Sequence, residues 1–213
     1  MMLYLTVCAM INASRRKTLV VKTERTDMRD LVPDNFSYTA QFCEENIWWL
    51  AKTLKEEGVD PRAMQVLFFS NPRMQIVMLN QKAAQQGQLI AWDYHVVLKL
   101  HHAGKDLVLD FYTRLPFPCA YDSYIKHSFP DQGSLPEQYR SWMRVIPAED
   151  YLKRFYSDRS HMRGILPESA FPAWDMIRPE HGIALQEYWD MEKKLPDGSY
   201  TCPILYSDNV ITT

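Results

Sequence analysis

The chain has 213 residues, 46% of them apolar and 13% aromatic, which suffices for one packed domain and is too apolar for a disordered chain. Its 24 basic and 26 acidic side chains leave a net charge of −2, so no basic surplus points to nucleic acid. Seven glycines, no two closer than sixteen positions, exclude the G-x-G-x-x-G and G-x-x-x-x-G-K-[ST] phosphate loops, and four dispersed cysteines exclude C-x-x-C metal or redox pairs and a secreted disulfide scaffold. Reduced thiols in a cytosolic protein are the simplest reading.

In chain order, residues 2–13 form an apolar run too short to span a membrane. Its basic flank, Arg15, Arg16 and Lys17, follows the run, which is the wrong side for a secretory signal. A β-strand or a dispensable extension fits better, and Met28 is an alternative start. Residues 1–35 are therefore read as an extension and 36–213 as a single catalytic domain with a divergent tail from about 164.

The first clear period is helical. Cys43, Ile47, Leu50, Ala51 and Leu54 share one face, Gly58 stands where a C′ residue belongs, and Ser37 or Thr39 could cap the start. Strands are expected at 63–70, 74–80, 88–100 and 106–112, the last two joined as a hairpin through His101–Lys105. The two prolines of 115–119 forbid a central strand there. Shorter helices are expected at 121–127, 136–143 and 148–156, and an irregular tail from about 164. A helix followed by an antiparallel sheet gives an α+β class.

The hairpin carries chemistry. Trp92, Tyr94, Val96, Leu98 and Leu100 point one way; Asp93, His95, Val97 and Lys99 point the other. A four-residue loop at 101–104 would oppose Lys99 to Asp106 and His95 to Asp110, so the aspartate could fix the imidazole. A slip of two residues would keep the faces and lose that pairing. Cys43 opens the helix, where the dipole favours thiolate, although Glu44 and Glu45 oppose this. Cys119 reads as a buried hydrophobe, and Cys8 and Cys202 have no polar setting. Helix cysteine, strand histidine and strand aspartate form a nucleophile, base and orienter set, in the chain order of papain-like and transglutaminase-like folds.

The segments Y-T-A-Q-F-C-E-E-N-I-W (38–48), W-D-Y-H-V-V-L (92–98), L-P-F-P-C (115–119) and S-D-R-S-H-M (157–162) make the chain resemble the protein N-terminal glutamine amidohydrolases, over about residues 36–163. The resemblance implies a Cys43, His95 and Asp110 triad. It implies hydrolysis of the side-chain amide of an N-terminal glutamine, on a protein or peptide, to glutamate with release of ammonia. It also implies no cofactor and a product open to arginyl transfer and degradation. No metal, no nucleic-acid or membrane partner, a monomer and a cytoplasmic or nuclear location are expected beside it. Recognition of a chain terminus needs a carboxylate for the α-ammonium, and Glu45 and Asp93 are the candidates. Trp92 is read as core, His161 as structural, and His101 and His102 as loop residues. The rivals are a cysteine protease or transglutaminase, and a non-catalytic reader of N-termini.

Overall fold

A computed structural model of the chain describes Val32 and residues 36–204. The readings made for residues 1–31, Cys8 and the Met28 start among them, lie outside the described residues.

Helix α1 (Cys43–Glu56) buries Cys43, Ile47, Leu50, Ala51 and Leu54, the face its spacing predicts. Gly58 has φ +94 and donates its N–H to the Lys55 carbonyl at 3.1 Å, so the helix stops where only glycine is unstrained. The start differs from expectation. Neither Ser37 nor Thr39 caps it; Phe42 holds the cap position and makes no side-chain cap. Instead the Asn46 amide donates to the Thr39 carbonyl at 2.6 Å, and its oxygen accepts the Thr39 N–H at 2.9 Å. That clasp ties the approaching chain to the first turn.

The strands are β1 (Met64–Ser70), β2 (Ile76–Met78), β3 (Ile90–Trp92), β4 (His95–His102), β5 (Lys105–Leu109), β6 (Cys119–Ala120), β7 (Trp142–Pro147), β8 (Phe155–Tyr156), β9 (Ile183–Ala184) and β10 (Tyr200–Pro203). The further helices are α2 (Tyr121–Ser128), α3 (Ala148–Arg154) and α4 (Leu185–Trp189). Six strands form one antiparallel sheet in the order β10-β7-β1-β4-β5-β6. β2 and β3 form a separate antiparallel pair, and β8 and β9 a parallel one. The α+β class stands. β6, following the two prolines, sits at the sheet edge, where missing donors cost least.

The sheet is covered on both faces, which is why β1 reads as the continuous apolar run V-L-F-F. Val66, Phe68, Val96 and Leu98 join α1 in one core. Leu67, Phe69, Val97, Val108 and Tyr124 build the other, with α2 packed against β5 and β6.

Three expectations are corrected. The 88–100 segment is not one strand: it breaks at Asp93–Tyr94, which puts Trp92 in a different sheet from His95. The helix expected at 136–143 is a short 3-10 turn, Glu137–Tyr139, followed by β7, because residues 142–147 find strand partners on both sides in β1 and β10. The hairpin register is shifted by two: His102 pairs with Lys105 and Leu98 with Leu109. Ala103 and Gly104, at φ +49 and +74, form a two-residue turn with both residues left-handed, the geometry that matches strand twist. The tail is also less irregular than its composition suggests. Arg144, fully buried in β7, donates to the carbonyls of Tyr188, Asp190 and Lys193 and so docks the tail segment behind α4 onto the sheet.

Candidate active site

The N-terminal end of α1, the start of β4 and the segment after α3 meet at a cavity of about 200 Å³. Cys43, His95, Trp92, Asp93 and Tyr112 line it together with His161, Met162, Ile165 and Leu166. Gln41, also on the wall, has φ +68, which turns the chain into the helix; its N–H donates to the Tyr112 hydroxyl. The Cys43 N–H is one of the orphan donors of a helix start, and it points no bond at any acceptor among the described residues.

His95 is 2% exposed and Asp110 1%. The shifted register removes the direct His95 to Asp110 pairing, yet the two side chains still meet. β5 ends at Leu109, and the chain bends so that Asp110 reaches back diagonally. His95 Nε2 lies 3.1 Å from Asp110 Oδ2, an ion-pair distance, although the N–H direction is off the line of a good hydrogen bond. Asp110 also accepts the Tyr112 N–H at 2.8 Å and the Tyr124 hydroxyl at 2.8 Å. Burial alone would raise this carboxyl. The His95 charge at that distance, with those two donors, outweighs it and holds Asp110 below the usual carboxylate range. Because Nε2 faces Asp110, Nδ1 is the ring nitrogen left for chemistry.

The imidazole is clamped by rings. Trp92 stacks on it at 6.2 Å with planes 17° apart, and Tyr112 meets it edge-on at 5.7 Å. Trp92 is therefore a site residue and not the distant core residue that strict strand alternation implied; the chain break at Asp93–Tyr94 reverses its side. His161, expected to be structural only, is half-buried on the cavity wall, with Nδ1 3.1 Å from the Asp158 carbonyl and Nε2 3.5 Å from the Tyr94 hydroxyl.

The thiol is buried at the cavity wall. Burial pushes Cys43 well up, the Glu44 charge adds to this, and the Val96 N–H opposes it. Cys119 and Cys202 are raised by burial as well, but neither lies on this cavity. Glu44, unnoticed in the sequence beyond its sign, is buried: Cys43 Sγ donates to its Oε2 at 3.6 Å and the Tyr94 hydroxyl donates to the same oxygen at 3.1 Å.

The two candidate carboxylates for an α-ammonium occupy different surroundings. Asp93 is exposed on the cavity wall, and its Oδ1 accepts the Tyr94 N–H at 2.8 Å. Glu45 is fully buried and off the cavity wall. Arg159 grips it with two donors at 2.7 Å, and Ser157 and Trp174 donate at 2.5 and 2.7 Å. Every lone pair of use is taken, so Glu45 as found here anchors the segment after α3 to the nucleophile helix.

A family model described as N-terminal glutamine amidase matches residues 38–207. The chain belongs to the N-terminal glutamine amidase family. The match runs on through the tail that looked weakly related from sequence. A protein N-terminal glutamine amidohydrolase of Danio rerio is 36% identical over 169 residues, which cover 76% of this chain and 82% of its own. The Homo sapiens protein of that name is 41% identical over 129 residues, 59% of this chain and 62% of its own. That of Arabidopsis thaliana is 33% identical over 166 residues, 72% and 74%. Among the described residues, no cluster of three or more His, Cys, Asp or Glu could hold a metal ion, and no helix is long and apolar enough to cross a membrane.

Proposed function

We propose that this chain hydrolyses the side-chain amide of an N-terminal glutamine in a protein or peptide, giving N-terminal glutamate and ammonia. One observation carries the reading: in a member of this family, a buried thiol and an aspartate-backed imidazole line one small cavity. Cys43 is the nucleophile. His95 Nδ1 takes the thiol proton as sulfur attacks the carboxamide carbon, then gives it to the departing NH₂ group. Asp110 stabilises the imidazolium and fixes its tautomer. A thioester remains, and water that loses a proton to His95 converts it to the free acid. One water is consumed and one ammonia leaves. The Cys43 N–H at the helix start supplies an oxyanion donor, and the side-chain amide of Gln41, a residue of the cavity wall, is the candidate for the second.

A buried neutral thiol needs a base at the moment of attack, which makes the reaction general-base assisted and not a pre-formed ion pair. Asp93, exposed on the cavity wall, is the candidate partner for the α-ammonium. The nucleophile on a helix start facing an antiparallel sheet supports a papain-like or transglutaminase-like architecture, by analogy of arrangement. A cytoplasmic monomer whose product enters arginyl transfer and degradation completes the proposal.

A peptide panel tests it. Peptides that start with Gln should release ammonia; peptides that start with Asn, or carry only internal Gln, should not. Backbone cleavage, or equal action on internal Gln, would overturn the reading in favour of a protease or transglutaminase.

A further inference from the structure

Among the described residues, Glu44 is the one carboxylate within hydrogen-bond reach of the nucleophile, and the mechanism above does not use it. It sits on α1 beside Cys43 and Glu45, and it is 1% exposed. Its Oε2 receives both the Cys43 thiol and the Tyr94 hydroxyl, at 3.6 and 3.1 Å. From α3, the Tyr151 hydroxyl donates to its backbone carbonyl at 3.1 Å. Behind Tyr94, at 3.5 Å, stands His161 Nε2 on the cavity wall. Among the described residues, no cation bonds to Glu44: Arg159 is spent on Glu45, the His95 imidazole on the cavity wall is paired with Asp110, and the charges of Glu45 and Asp93 are negative.

These contacts pose a problem for catalysis. When the thiol gives up its proton to His95, the thiolate faces the new imidazolium on one side, but on the other it would stand 3.6 Å from a Glu44 carboxylate that has no cation of its own among the described residues. Two adjacent buried anions strongly disfavour each other, so one of the pair keeps a proton. If Glu44 keeps it, the contact reverses: the thiol no longer donates to the carboxylate, and the carboxyl O–H donates to the thiolate, a charge-assisted bond.

We propose that Glu44 is a positioning residue that works as a neutral acid, holding its carboxyl proton against the Cys43 sulfur so that the thiolate forms beside a donor and not beside a second anion. The proposal rests on Cys43 being the nucleophile. The surroundings agree with it: burial, with the Glu45 charge adding, pushes the Glu44 carboxyl up to about 8, against the pull of its own N–H, Tyr94 and Cys43. Tyr94 is a donor to the same carboxyl. Its single hydroxyl hydrogen can go to Glu44 or to His161, and if Glu44 is protonated it is free to turn to His161.

The consequence is a limit at alkaline pH. As Glu44 ionises above about pH 8, it opposes the thiolate it formerly stabilised. Glu44→Gln keeps a neutral donor of the same shape and removes that ionisation. The test is the pH dependence of Cys43 alkylation by iodoacetamide, in wild type and Glu44→Gln, with ammonia release from a Gln-initiated peptide measured alongside. The variant should be alkylated about tenfold faster at pH 8, equivalent to a thiol titrating one unit lower. Its ammonia release at pH 9, relative to its own rate at pH 7, should exceed that of the wild type. Alkylation profiles that coincide would overturn the proposal. Alkylation reads the thiol without substrate, so a wild type that releases no ammonia defeats the amidase reading and leaves the Glu44 result standing. If Glu44→Gln does not fold, infrared spectroscopy of the wild type decides. A protonated carboxyl band should be present at pH 7 and should shift when Cys43 is alkylated; a missing band, or one indifferent to alkylation, contradicts the proposal.

Discussion

Two buried carboxylates flank the same cavity and are driven in opposite directions. Asp110, behind His95, is held below the ordinary range, whereas Glu44, beside Cys43, is pushed up to about 8. Burial raises both, so burial does not distinguish them. The partners do. Asp110 faces an imidazole that can carry charge, a backbone N–H and a tyrosine hydroxyl. Glu44 faces a thiol and a tyrosine, with the acidic Glu45 next in the chain. Environments that split two like groups in this way assign them an anionic and a protonated role. Glu45 adds a third case: equally buried, it is neutralised by its own arginine.

The largest expected effect breaks the anionic side. Asp110→Asn keeps the shape and removes the charge, and ammonia release should fall by about 10⁴-fold with the fold intact, as expected when the imidazole loses its orienting anion. The next isolates the third carboxylate. Arg159→Met leaves Glu45 buried and unpaired, so urea unfolding should show a loss of about 3–5 kcal/mol. Glu44→Gln sharpens the contrast through stability. A carboxyl raised on folding costs stability as pH climbs from about 4.5, where the unfolded chain ionises, to about 8. The wild type should lose a few kcal/mol across that window from this group, and the variant should not. Asp110 acts in the opposite sense: its contribution is present above the unfolded carboxylate value and is lost as pH falls through its lowered folded value. The smallest effect tunes Asp110. Tyr124→Phe removes one donor, should raise the Asp110 carboxyl, and should move the acid limb of the rate profile upward in pH.

What the sequence made legible follows local rules. The helix face from Cys43 to Leu54 and the stop at Gly58 could be read from period and residue type, whereas the candidate trio of Cys43, His95 and Asp110 rests on the family resemblance and on a hairpin register that the structure shifts by two. The features that escaped depend on long-range partners. The hairpin register was missed because Ala103 takes a left-handed φ without the usual Asn or Asp signal. Trp92 was placed on the wrong side because alternation was carried across the break at Asp93–Tyr94. β7 looked helical because nothing in residues 142–147 announces β1 and β10 on either side. Glu44, Glu45 and Tyr124 acquire their roles from Tyr94, Arg159 and Asp110, residues 14 to 114 positions away, and no periodicity encodes such pairs.

The account turns on one thiol acting on one amide. Mass spectrometry of a Gln-initiated peptide after incubation with wild type and with Cys43→Ala tests this most directly. The wild type should convert the terminal amide to the acid with the backbone intact, and the variant, folded by circular dichroism, should leave the peptide unchanged. Conversion by Cys43→Ala at a rate near that of the wild type would contradict the account.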